Sequence, residues 1–77
     1  MELSELRSRW IELRNKKAID PRFIYDYAIH KSMVITFETC MMVLSFYDPN
    51  AIIDRLDHEF DLTILYDKDN NFIKVLE

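Results

Sequence analysis

A chain of 77 residues with 49% hydrophobic side chains and a formal net charge of −4 fits one domain, too apolar to stay disordered. At that size folding buries only about 60% of the surface the unfolded chain exposes, so association is one route to added stability. The single cysteine excludes an internal disulfide, and the complete lack of glycine excludes a glycine-rich phosphate loop.

Residues 2 to 17 carry Leu3, Leu6, Trp10 and Leu13 at helical spacing, widened by Ile11. Glu2 and Glu5 near the start and Lys16 and Lys17 near the end suit the helix dipole. The short link from Ala18 to Asp20 suits an antiparallel pair with the next helix.

Asp20 is a helix N-cap residue followed by Pro21 at the favoured first position, and Phe23, Tyr27, His30, Val34, Phe37, Met41 and Leu44 then alternate at spacings of four and three. This pattern predicts one long helix over about 21–47. Unbroken, it would be about 40 Å long at 1.5 Å per residue, against roughly 30 Å for a globule of this size, so a second copy is expected to cover the overhang. The competing pattern is local. Val34, Ile35 and Thr36 are consecutive β-branched residues, and Met33 to Thr39 alternates well enough for a short strand, which would break the helix near Ser32.

Asp48 and Pro49 end that segment and begin another, in which Ile52, Ile53, Leu56 and Phe60 set a helix over about 49–59 with Asp54, Arg55, Asp57 and His58 facing outward. The period then becomes alternating. Residues 61–67 and 72–76 read as a β-hairpin around the turn-forming run Asp67 to Asn71. Placing Ile64 opposite Val75 and Tyr66 opposite Ile73 gathers the apolar side chains on one face, with Leu65, Phe72 and Leu76 on the other. Without glycine, positive-φ positions are expected at asparagine or aspartate, which points to Asn15, Asn50, Asn70 and Asn71. The fold class is therefore α+β, a single domain of three helices followed by a hairpin.

Chemistry-bearing groups are sparse. Asp67, Asp69 and Asn71 have the spacing that opens a calcium loop, but Phe72 stands where the sharp turn wants glycine and no closing glutamate follows, so an ordinary turn is expected. His58 with Asp54, Asp57, Glu59 and Asp61 lacks the further histidine or cysteine ligands of a zinc site and reads as a solvated acidic face. His30 lies on the apolar stripe and is expected to be buried or interfacial, satisfied by Asp26 or a tyrosine. Cys40 sits among apolar neighbours, far in sequence from either histidine, and reads as core. No catalytic residue, metal site or cofactor is expected, and the protein is read as non-enzymatic.

Charge is unevenly distributed. Arg7 to Arg22 has a local balance of +4, whereas Asp48 to the end has −5. Arg7, Arg9, Arg14, Lys16 and Lys17, with Trp10 between them, form a charged surface for a partner. They also support an alternative reading as a nucleic-acid-binding accessory protein, which the pI near 5.1 disfavours. Met33 to Tyr47 is interrupted by Glu38 and shorter than the roughly 20 residues a bilayer requires, and no secretory leader is visible, so a cytoplasmic, non-membrane protein is expected. The expected function is protein-protein interaction, as a regulator or inhibitor of a larger protein. Self-association into a homodimer is expected through Phe37, Met41, Met42 and Leu44 of the long helix.

Overall fold

The computed structural model describes residues 2–76, which form helices α1 (Leu3–Asn15), α2 (Pro21–His30), α3 (Phe37–Phe46) and α4 (Pro49–Glu59), followed by strands β1 (Thr63–Tyr66) and β2 (Phe72–Leu76). The α+β class is as expected. The long helix is not continuous. Two local signals divide it, one ending α2 and one starting α3.

At the end of α2, Ser32 adopts a left-handed φ of 60°. The Met33 N–H donates to the Ala28 carbonyl at 2.9 Å and the Ser32 N–H to the Ile29 carbonyl at 2.9 Å, a Schellman closure. Met33 to Ile35 are then irregular. Thr36 is extended, and its Oγ1 accepts the Thr39 N–H at 3.1 Å, capping α3. The β-branched run thus sits in the break, where its χ1 restriction costs the helix nothing. The overhang argument falls with the continuous helix, because α2 and α3 are each ten residues long and pack against each other.

The same closure ends α1 and α4. Lys17 (φ 56°) and Asp61 (φ 52°) take the left-handed position, with Ala18 N–H to Leu13 O and Leu62 N–H to Asp57 O completing the two motifs. Of the positions singled out for positive φ, only Asn70 (φ 65°) adopts it. Lys17 and Ser32 do so because the helix-ending hydrogen bonds require that backbone whatever the side chain. Asp20 and Asp48 each accept the N–H two residues on, from Arg22 at 2.9 Å and Asn50 at 3.0 Å, and Pro21 and Pro49 occupy the first helical turn.

The core lies between α1, α2 and α4, built on Leu6, Trp10, Phe23, Leu56 and Phe60. Trp10 is 0% exposed and stacks on Phe23 with ring centroids 5.3 Å apart. Phe23 and Tyr27 meet Phe60 at 6.2 and 5.9 Å. α3 contributes no residue to this cluster.

The hairpin closes through Asn70 in the left-handed region, with Asp67 N–H to Asn71 O at 2.9 Å and Asn70 N–H to Asp67 O at 3.1 Å. The Asp67 carboxylate accepts the Asp69 and Asn71 N–H groups at 2.8 and 2.9 Å. Ile64 pairs with Val75 as expected, but Tyr66 pairs with Phe72 rather than Ile73, because the register shifts between Leu65 and Tyr66. The shift brings Phe72 beneath Arg14, whose guanidinium carbon is 4.1 Å from the ring centroid, and leaves Ile73 exposed. Burying the larger aromatic explains the departure from simple alternation. The outer edge of β2 is held by α1, where Asn15 Oδ1 accepts the Val75 N–H at 2.9 Å.

Candidate functional site

α3 carries the main candidate surface. Its side chains are apolar almost all round, and between Lys31 and Asp48 the one charged residue is Glu38. Among the described elements α2 packs most closely against it, and one stripe is covered: Cys40 is buried, and Val43 and Leu44 are half-buried. The rest faces outward, including Met41 at 50%, Met42 at 55% and Phe46 at 78% exposure. Phe37, at the first turn, meets the Tyr25 ring edge-on at 6.4 Å and is otherwise exposed.

Of the four residues expected to mediate self-association, Phe37, Met41 and Met42 therefore lie on the open surface, and Leu44 sits at its inner margin. Met33, Phe46 and Tyr47, which lie off the helical stripe, and Val34, which lies on it, extend the same exposed surface at both ends of α3. The signal available for them was the charge-free run itself. Where no side chain can be turned to water, some apolar ones must be.

The basic residues of α1 are dispersed into the fold. Arg7 Nε donates to the Phe60 carbonyl at 3.2 Å. Arg9 pairs with Asp26 at 2.7 Å and lies over the Phe23 ring. Arg14 Nε bonds both oxygens of Asp57 at 3.2 and 3.0 Å, and Trp10 Nε1 donates to Asp57 Oδ1 at 2.8 Å. Asp57 was expected to face outward; instead it is turned in, because a buried indole and a guanidinium both need an acceptor there. Lys16 pairs with Glu12 along the exposed face of α1 at 2.7 Å, and Lys17 lies beyond its end.

His30 is exposed on the last turn of α2 rather than buried, because the chain leaves the helix at Ser32 and the stripe it was assigned to ends there. His58 is exposed on α4. Among the described residues no three His, Cys, Asp or Glu side chains are grouped so as to hold a metal ion, and no helix is long and apolar enough to cross a membrane. Burial pushes the Cys40 thiol pKa up, which suppresses the reactive thiolate.

Lys31 and Glu59 form an ion pair that ties the end of α2 to the end of α4. Its hydrogen bond raises the lysine pKa and lowers that of the carboxylate, while burial, reinforced by the Glu59 charge, raises the Tyr27 hydroxyl pKa. These groups link the end of α2 to the end of α4. The fold and surface together define a small helical α+β domain with one apolar helix left outside its core. Comparison with family models, curated proteins and solved structures finds no match to this chain.

Proposed function

We propose that this chain is a non-enzymatic protein-protein interaction module that self-associates through α3 and acts in the cytoplasm on a larger protein. The observation that carries this reading is the exposure of Phe37, Met41, Met42 and Phe46 on one helix whose only buried residue is Cys40. Apolar surface of this kind on a soluble chain is typically covered by a partner. Methionine is suited to such a contact because its unbranched thioether adapts to irregular surfaces. The nucleic-acid reading has less support, since Arg7, Arg9, Arg14 and Lys16 are engaged within the fold.

The test is solution mass. The 9.3 kDa chain is expected to run at about twice that mass in sedimentation or light scattering. Met42→Asp places a charge on the exposed face of α3 and is expected to return the chain to a monomer with its far-UV spectrum intact. A native chain that stays monomeric at high concentration refutes self-association.

A further inference from the structure

Past the C-terminal end of α1 the chain leaves a cavity of about 540 Å³, between Ile19 of the α1–α2 connection, Ile53 of α4 and Phe72 of β2. Small-molecule sites span about 300–1,000 Å³, so the size suffices for a compact organic ligand. No acidic side chain lines it, and its charged members are Arg14 and Lys17.

Arg14 decides what the cavity can hold. Its side chain is only 11% exposed, and its plane is fixed from two sides, by Nε on the Asp57 carboxylate and by the Phe72 ring against its face. Both Nη nitrogens are left without an acceptor among the described residues. The Lys17 ammonium likewise has no partner there. Asp57 balances one of these two cations and is already shared with the Trp10 indole. One positive charge and a planar pair of donors therefore remain at the edge of an apolar cavity.

We propose that this cavity binds a small carboxylate with an apolar, ring-sized body. The carboxylate bonds the Nη edge of Arg14, whose fork matches a planar two-oxygen acceptor, and Lys17 adds a second contact. The body rests among Ile19, Ile53 and Phe72. A phosphate monoester suits the site less, because its second negative charge exceeds the single surplus positive charge.

The experiment titrates the intact protein with 2-naphthoate, and with neutral 2-naphthylmethanol as the matched control, followed by amide and indole chemical shifts. The expected result is shifts at Trp10, Ile19, Ile53 and Phe72, with naphthoate binding more tightly than the alcohol. Lys17→Gln, an exposed substitution, is expected to weaken naphthoate about two- to fivefold and to leave the alcohol unchanged. Equal affinity for acid and alcohol, shifts confined to α3, or no shift up to about 5 mM ligand would overturn the proposal. Because no α3 residue lines the cavity, Met42→Asp is expected to leave naphthoate binding intact, so this result and the self-association result are read independently.

Discussion

Ser32→Gly offers a direct test of the break between α2 and α3, because the two possible backbones give opposite signs. Ser32 is exposed at φ 60°, and its side chain makes no hydrogen bond among the described residues, so removing it breaks none of these. A left-handed residue with a Cβ is strained by about 1–2 kcal/mol relative to the right-handed region, and glycine relieves that strain. Glycine also loosens the unfolded chain, which takes back about 0.4–1 kcal/mol. The net expectation is a stabilisation of about 0–1.6 kcal/mol, centred near 0.8 kcal/mol. For a domain of this size the central value raises Tm by about 3–6 °C. A helix running unbroken through position 32 would instead lose about 0.5 kcal/mol, since glycine is a poorer helix former than serine. Far-UV thermal and urea denaturation of the variant and the parent distinguish the two. A lower Tm for Ser32→Gly would refute the left-handed helix end and restore the continuous rod.

Asp57→Ala is expected to cost about 3–5 kcal/mol in urea denaturation, because it strands the largely buried Arg14 charge and orphans the Trp10 N–H. That is much of the whole stability of a 77-residue domain, about 4–12 kcal/mol. Asn15→Ala leaves the Val75 N–H without its acceptor and is expected to cost about 1–3 kcal/mol, with loss of hydrogen-exchange protection at that amide. Glu59 and Asp67 are held below the usual carboxylate range, Glu59 by Lys31 and Asp67 by the Asn71 and Asp69 amides. Their contribution is present above about pH 4 and lost as pH falls through the lower folded values. Glu59→Gln should therefore flatten the acid side of a Tm-against-pH curve, and parallel curves would count against the Lys31 pairing. Tyr27 and Lys31 are raised in the fold, so their share is present below about pH 10 and lost as pH rises through the raised values.

The parts of the fold legible in the sequence are those with local chemical causes. Asp20-Pro21 and Asp48-Pro49 mark two helix starts, the change of period after Phe60 marks the hairpin, and Trp10 follows its stripe into the core. The break at Ser32 was legible as the competing pattern set by Val34, Ile35 and Thr36, but the apolar spacing of four and three that continues across it outweighed that signal; Thr36 was a further capping signal. The inward turn of Asp57 could not be read locally, since its partners lie 43 and 47 residues away. The apolar character of the α3 surface was legible in the charge-free run. Its degree of exposure was not, because that depends on α1, α2 and α4 closing a core without it.

Beyond its contacts with α2, the ties that hold α1 bridge 43 to 60 residues of chain, from Arg14 and Trp10 to Asp57, from Arg7 to Phe60 and from Asn15 to Val75. During translation at about 5–20 residues per second, the first helix therefore waits ~2–12 s for these distant anchors to be made. Through that interval the indole and leucines of the nascent segment have no native cover beyond α2. Slowing elongation between codons 20 and 57 should lengthen this vulnerable period and raise the aggregated fraction without altering the finished molecule.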